Sequence, residues 1–215
     1  MPYEIETITD TIIHDNCLNV MKDIEDNAFV LAFCDPPYNC GCKYDVYDDK
    51  MPDNEYTDWC KEWFEEVFRV AQRVIITPGH GHLGEWLNLK KPLGIGCWFK
   101  PGNPASSTLG WCCWEPWLYY SSERKILGGP DTVREPVTKQ YGVGSHPCPK
   151  PLKLLKWLIE KSTKKGDLIL DPFSGSGTTC MAARILERPY VGIDLSQKYV
   201  EESRERLASF TDIFE

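Results

Sequence analysis

Asp35-Pro36-Pro37-Tyr38 and Asp171-Pro172-Phe173-Ser174-Gly175-Ser176-Gly177-Thr178-Thr179 are the two stretches of this chain whose residue types could do chemistry. Their leading aspartates stand 136 positions apart. The first stretch offers a carboxylate, carbonyls that two prolines hold stiff, and an aromatic ring able to stack. The second offers glycines, which let backbone approach a ligand closely and tolerate positive φ. Thr178 and Thr179 then open a helix whose free amides favour a carboxylate or phosphate. Asp194 follows Gly175 by 19 positions, the distance at which an acid reaches ribose hydroxyls in nucleotide-binding α/β folds. A nucleoside-like ligand is therefore expected. A nicotinamide or flavin dinucleotide fits less well, because Cys180 stands where that fingerprint wants its third glycine. The bland alternatives are a ligand-free strand–turn–helix and a rigid Pro-Pro turn in which Asp35 satisfies local amides. The occurrence of both stretches in one chain weighs against them.

Each stretch needs a strand to hold it. Phe29-Val30-Leu31-Ala32-Phe33-Cys34 runs directly into Asp35, and Leu168-Ile169-Leu170 into Asp171. Short apolar runs that end in polar turns read as buried strands. In open α/β sheets such turns lie at the carboxyl ends of strands, where ligands bind. Further strands are expected over 7–14, 73–76, 94–99, 115–121 and 190–195. Helices are expected over 17–25, 55–72, from Pro151 onward, 178–187 and 197–209. Proline suits a first helical turn. Trp59, Trp63, Val67 and Val70 recur on one helical face, so both tryptophans are read as core. Residues 39–54 and 101–110 read as loops, and 128–150 as irregular. The alternation predicts an α/β fold with a mostly parallel sheet and helices on both faces. At 215 residues, one domain spanning 1–215 is expected.

Composition narrows the classes. Hydrophobic residues make up 42% and charged residues 26%, ordinary for a soluble globular protein. The apolar runs fall far short of a bilayer span, so no membrane association is expected. Met1-Pro2-Tyr3-Glu4 does not read as a secretion leader. The ten cysteines, several inside apolar strands, read as reduced core residues of a cytosolic protein. Cys40-x-Cys42, with Cys112-Cys113 and Cys148, lacks the spacing of paired zinc ligands, and no metal is expected.

The net charge of −8 is unevenly spread. Residues 1–80 carry 6 Lys/Arg against 17 Asp/Glu, whereas 81–170 carry 13 against 7. Aromatics interleave the basic third. That pattern reads either as a core-rich sheet with solvated lysines or as a phosphate-facing surface with stacking side chains. On the second reading Lys90, Lys91, Lys100, Arg124, Lys125, Arg134 and Lys139 are candidate phosphate contacts, and the acidic 1–80 segment faces away except at Asp35.

Taken together, the two stretches resemble the catalytic and cofactor motifs of the amino-group DNA methyltransferases. These enzymes move a methyl group from S-adenosylmethionine to an exocyclic base nitrogen. The catalytic motif comes before the cofactor motif, which resembles the permuted beta group. The resemblance spans residues 8–209 and is weakest across 80–140. It implies a Rossmann-like methyltransferase fold with a short target-recognition region at about 80–145. It also implies that Asp171 faces the cofactor's ammonium, Phe173 its adenine and Asp194 its ribose. Ser174, Gly175, Ser176, Gly177, Thr178 and Leu195 would complete that site. His146-Pro147-Cys148-Pro149-Lys150-Pro151 resembles the family's His-Pro-x-x-Lys-Pro segment, which helps close the site. There His146 would sit beside the cofactor and Lys150 would pair with its carboxylate. Asp15-Asn16-Cys17-Leu18 stands where the family often has Gly-Asp-Cys-Leu, so an adenine contact falls on Asn16 or Asp15.

An exocyclic amine is a poor nucleophile because its lone pair is delocalised into the ring. Acceptors on its N–H groups favour a pyramidal nitrogen and act chiefly as charge develops in the transition state. The resemblance gives that task to Asp35 and the Pro36 carbonyl, with Pro37 stiffening the turn and Tyr38 stacking on a flipped base. The turn's leading aspartate favours adenine N6, since a serine-first version is commoner among cytosine-N4 enzymes. Cytosine N4 and a catalytically silent nucleic-acid-binding homologue are the alternatives. DNA is the expected partner, with a homodimer or a partner subunit as a possible supplement to so short a recognition region.

Overall fold

Alternation along the buried strands divides the core in two. The computed structural model describes residues 2–103, 106–107, 110–122, 129–137 and 144–210. In chain order its elements are α1 (Ile5–Ile8), β1 (Thr11–His14), α2 (Cys17–Met21), β2 (Leu31–Cys34), α3 (Asp53–Val70) and β3 (Arg73–Ile76). Next come α4 (Leu83–Leu89), β4 (Gly94–Phe99), β5 (Ser106–Ser107), β6 (Gly110–Trp111), β7 (Trp114–Ser121) and β8 (Thr132–Arg134). α5 (Leu152–Ser162), β9 (Ile169–Asp171), α6 (Thr178–Ile185), β10 (Tyr190–Asp194) and α7 (Gln197–Ser209) complete the order. Ala32, Cys34, Val74 and Ile76 point to a core shared with α2 and α3. Their neighbours Leu31, Phe33 and Ile75 point the other way, to a core shared with α5, α6 and α7. With both faces covered, the central strands are apolar without interruption, as parallel sheets require.

The main sheet runs β1-β10-β9-β2-β3-β7-β4-β8. Its first five strands are mutually parallel. β7 is antiparallel to both β3 and β4, and β8 lies parallel to β4. The α/β class, the mostly parallel sheet and the helices on both faces all match the expectation. Among the described residues, no helix is long and apolar enough to cross a membrane.

Several boundaries move. β1 starts at Thr11 because Ile5–Ile8 forms a helical turn instead of extending the strand. Helix α4 and strand β8 fall where no element was expected; both are short, and β8 lies inside a breaker-rich stretch. The loop around 101–110 contains the two-residue ladder β5–β6. In α3 the buried stripe is Tyr56, Cys60, Trp63, Val67 and Val70, a 3.6-residue repeat. Trp63 is fully buried, but Trp59 lies off that stripe and is only half-buried.

Gly96 lies on β4 between β7 and β8, opposite Trp117. A β-carbon there would overlap the Trp117 indole and the Asp131 carbonyl oxygen. Gly96→Ala is therefore expected to destabilise the fold by about 1–3 kcal/mol, the usual cost of overpacking. Urea unfolding checks this: the midpoint should drop at constant slope. An unchanged midpoint would mean that the three strands can part without cost.

Candidate active site

The parallel strands β1, β10, β9, β2 and β3 end on one edge of the sheet. Most of the turns that leave them open into one cleft of about 880 Å³. Asp15 and Asn16 leave β1, Asp35 to Tyr38 leave β2, Pro172 to Ser176 leave β9, and Leu195 leaves β10. The two motifs are neighbours because β2 pairs directly with β9, Leu31 with Ile169 and Ala32 with Leu170. Beyond β3 only β7 reverses, and β4 runs with the first five strands. Lys100 just after β4 and Glu115 near the start of β7 therefore reach the same edge and line the same cleft.

The glycine turn is built as a cradle. Gly175 and Gly177 sit at φ +47° and +70°, where a side chain is strained. A β-carbon on Gly175 would come within 2.6 Å of His146, and one on Gly177 within 2.7 Å of Ser203. Asp194 ties the turn to β10: its carboxylate accepts from the Gly175 amide at 2.7 Å and the Ser196 amide at 2.8 Å. Arg206 of α7 braces the turn from behind, donating to the Ser176 carbonyl and the Thr178 hydroxyl. Thr178 in turn shares a 2.9 Å hydrogen bond with the Ser176 hydroxyl. Phe173 meets Trp63 edge-on at 4.9 Å and Trp59 at 5.9 Å.

Asp171 is buried and accepts from the Phe173 amide at 3.0 Å. Burial pushes its carboxyl up to about 7, with hydrogen bonds from Thr179 and the Phe173 amide opposing and the charges of Asp35 and Asp194 adding. Burial also raises Asp194, against the Ser196 and Gly175 amides. His146 is pushed down to about 4 by burial, so its imidazole is neutral, and it packs edge-on against Tyr199. Asn16 caps α2 by accepting from the Leu18 amide, while Asp15 accepts from the Tyr3 hydroxyl and the Asn19 amide. Both still line the cleft.

Asp35 accepts four hydrogen bonds. Its Oδ1 accepts from the Thr77 hydroxyl at 2.5 Å, the Tyr38 hydroxyl at 2.7 Å and the Lys150 ammonium at 2.7 Å. Its Oδ2 accepts from Lys150 at 2.9 Å. The Tyr38 ring backs closely onto Gly79, where a β-carbon would lie 3.0 Å from it. The Tyr56 hydroxyl pins the Pro37 carbonyl at 2.8 Å. Burial, and the Asp35 charge beside it, hold the Tyr38 phenol well above its ordinary range.

Three expectations change at this edge, the first two at lysines. Lys150 was expected at the cofactor carboxylate; its ammonium instead sits on Asp35, because the segment before α5 enters beside the end of β2. Lys100 was expected on a phosphate-facing surface; it is buried and paired with Glu115 at 2.7 Å. Lys90 lies across the Phe68 ring near the end of α3, and Lys91 comes next, before β4 begins. That is the end of the sheet away from the cleft. Arg134 is exposed at the cleft end of β8. Arg124, Lys125 and Lys139 lie outside the described residues.

Part of the acidic segment faces the cleft after all. Tyr44 and Tyr47 of the loop after Tyr38 line it, and Trp59 of α3 joins them. Two of the loop's acids are held by hydrogen bonds: buried Asp49 accepts from the Asn39, Cys40 and Cys42 amides, and Asp45 from the Ser196 hydroxyl. Sequence reasoning missed Thr77, Glu115, Tyr44, Tyr47 and Trp59. Thr77 could have been found, since it comes after β3 as Asp35 comes after β2. Glu115 carries no local signal. The Cys42 and Cys148 thiols lie 3.5 Å apart, and among the described residues no group of three or more ligating side chains is gathered for a metal.

Three buried polar atoms on this wall, Tyr47 Oη, His146 Nδ1 and Ser174 Oγ, have no hydrogen-bond partner among the described residues. Buried polar groups need partners. With the glycine cradle, these atoms fit a polar nucleoside ligand.

A family model described as DNA methylase (N6_N4_Mtase) matches residues 29–83 and 98–205. The type II methyltransferase M.HpaI of Haemophilus parainfluenzae is 30% identical over 92% of this chain and 74% of its own length. Among solved structures, the PvuII DNA methyltransferase (cytosine-N4-specific) is similar with a TM-score of 0.73 at 16% identity, over 95% of this chain and 87% of that one. The M1.HpyAVI–SAM complex is similar with a TM-score of 0.68 at 19% identity, over 92% and 98%. At such identities the structural likeness is one of fold.

The raised Asp171 carboxyl has a consequence for stability. Between its ordinary value of 3.8 and about 7 the native state holds a proton that the unfolded chain has lost. Its contribution is complete below that window and lost as pH rises through it. Asp171→Asn, neutral throughout, is expected to flatten the fall. Urea unfolding of both proteins from pH 4 to pH 8 checks this, and identical slopes would contradict it.

Proposed function

This chain belongs to the DNA methylase family, and on that premise we propose that it transfers a methyl group from S-adenosylmethionine to the N6 amino group of an adenine flipped out of DNA. The observation that carries the reading is the meeting of the Asp35 turn and the glycine turn in one cleft. When bound, S-adenosylmethionine supplies an electrophilic methyl group on a sulfonium sulfur. Asp171, Asp194, Phe173 and the Gly175–Gly177 backbone would hold it, with Ser174, Ser176, Thr178, Leu195 and His146 around them and Asn16 or Asp15 beside its adenine.

The chain's own residues do the rest. Asp35 and the Pro36 carbonyl accept hydrogen bonds from the target amine, which localises its lone pair on nitrogen. As the nitrogen takes the methyl it becomes cationic, and the carboxylate stabilises that charge most in the transition state. The Pro36-Pro37 turn, pinned through Tyr56, needs little reorganisation. Tyr38 presents its ring to the flipped base, offsetting part of the unstacking cost. Cytosine N4 would find the same acceptors; the aspartate heading the turn favours adenine. Ten free cysteines suit a reducing cytosolic setting. The recognition region is short, so the target is short or degenerate, or a second subunit, identical or not, completes its reading.

Asp35→Ala is expected to retain cofactor binding and lose at least ~10²-fold in methyl transfer, the cost of removing one preorganised transition-state hydrogen-bonding group. Calorimetry with S-adenosylhomocysteine and tritium transfer to DNA give the two readouts. Near wild-type transfer would refute the role. Mass spectrometry of the product nucleosides names the base, and N4-methylcytosine without N6-methyladenine would reassign the substrate.

Phosphate contacts position DNA and set its salt dependence. Neutralising Arg124, Lys125, Arg134 and Lys139 is expected to lower the log–log salt slope of binding by about 0.9 for each phosphate that is no longer neutralised. Neutralising Lys90 and Lys91 should leave it unchanged. The reverse result would put DNA at the other end of the sheet.

A further inference from the structure

The cleft edge carries a row of four alternating charges, and the transfer reaction as described uses only the last, Asp35. Lys100 Nζ meets Glu115 Oε1 at 2.7 Å. Glu115 Oε2 lies 3.4 Å from Lys150 Nζ, and Lys150 Nζ lies 2.7 Å from Asp35 Oδ1. The four side chains come from the end of β4, the start of β7, the segment before α5 and the turn after β2. We infer that Lys150 is a positioning residue for Asp35, held by Glu115 and Lys100, rather than a ligand of the cofactor carboxylate. This rests on the methyltransferase reading and deepens it.

Oxygen occupancy supports the inference. A carboxylate oxygen has about two lone-pair sites. Asp35 Oδ1 already takes Thr77, Tyr38 and Lys150 and is saturated, whereas among the described residues Oδ2 takes Lys150 alone. Oδ2 is thus the oxygen with room for the amine N–H. Both side chains line the cleft, and that of Lys150 is 8% exposed against 20% for Asp35, so the carboxylate is the more open of the two. Lys150 therefore fixes the plane of Asp35 without filling the place of the substrate.

An ammonium so close to a nitrogen that becomes cationic would by itself oppose the reaction. Glu115 answers that problem. Burial alone would raise its carboxyl, but Lys150 and then Lys100 hold it below the ordinary range, so it stays ionised. The row sums to no net charge, and the Asp35 carboxylate ends it. Removing the Glu115 charge would leave Lys150 uncompensated and weaken the field Asp35 applies to the amine, without touching the cofactor cradle.

The test uses the full chain with a DNA substrate of the wild-type protein. Lys150→Met and Glu115→Gln are assayed for kcat at saturating S-adenosylmethionine and, separately, for S-adenosylhomocysteine affinity by calorimetry. The expected result is a kcat loss of at least ~10²-fold for Lys150→Met, on the scale of one transition-state group. A loss of roughly tenfold is expected for Glu115→Gln, that of a supporting partner. Affinity should stay within about threefold in both, and Lys150→Arg should recover part of the rate. An affinity loss of tenfold or more with kcat intact would assign Lys150 to the cofactor and overturn the inference. Unchanged kcat and affinity would overturn it too. If Lys150→Met fails to fold, Glu115→Gln decides alone: an unchanged kcat overturns the inference, a fall at constant affinity supports it. A wild-type protein that methylates no DNA would sink the function itself. An active one whose variants match it would sink only the role of Lys150.

Discussion

The parallel pairing of β2 with β9 is the constraint on which the cleft depends. Two strands far apart in sequence lie side by side in register, Leu31 against Ile169 and Ala32 against Leu170. Each then runs off the same edge into its own aspartate turn. A one-residue slip would turn Leu31 and Phe33 into the core that now holds Ala32 and Cys34, so burial on both faces locks the register. The turns inherit that precision. Their stiffness, from prolines in one and left-handed glycines in the other, preserves it out to the cleft.

The same edge gives two neighbouring carboxylates opposite characters. Asp35 is surrounded by donors: Thr77, Tyr38 and the Lys150 ammonium. Asp171, one strand away, has amide and hydroxyl donors, and burial prevails, carrying its carboxyl up to about 7. A fixed cation and two hydroxyl donors set the plane of one carboxylate. Without such a cation, the other group can take up or release a proton according to what lies beside it. Environment, not residue type, sets the role.

The sheet and most helices were legible because their signals are local. Apolar runs marked β2, β3, β9 and β10, and the apolar repeat of Trp59, Trp63, Val67 and Val70 marked α3. β8 was not, since three residues inside a breaker-rich stretch form a strand only because β4 offers them an edge. The two turns could be read as sites because strand ends bind ligands. The role of Lys150 could not, because its partner stands 115 positions away and the pairing exists only once β2 and the segment before α5 meet. Lys100 was misjudged for a related reason. Its charge counted toward a basic surface, yet Glu115 on the next strand draws it inside. Trp59 lies one step off the buried stripe of α3, a distinction that the spacing of Trp59, Trp63, Val67 and Val70 does not make.

The reversal of strand direction after β3 is what supplies the charge row. In a wholly parallel sheet each strand delivers only its carboxyl end to the cleft. Here β7 runs backward, so the start of β7 and the end of β4 reach the edge together, Phe99 opposite Trp114. Lys100 and Glu115 owe their places to that geometry: one comes just after the end of β4, the other is the second residue of β7. A hairpin is the economical way to set an opposite pair side by side, because cross-strand neighbours lie within reach of each other. Through Glu115 and Lys150, that pair touches the aspartate heading a turn built from the parallel half. The antiparallel half is thereby tied to the acceptor as well as presenting exposed Arg134 at the cleft end.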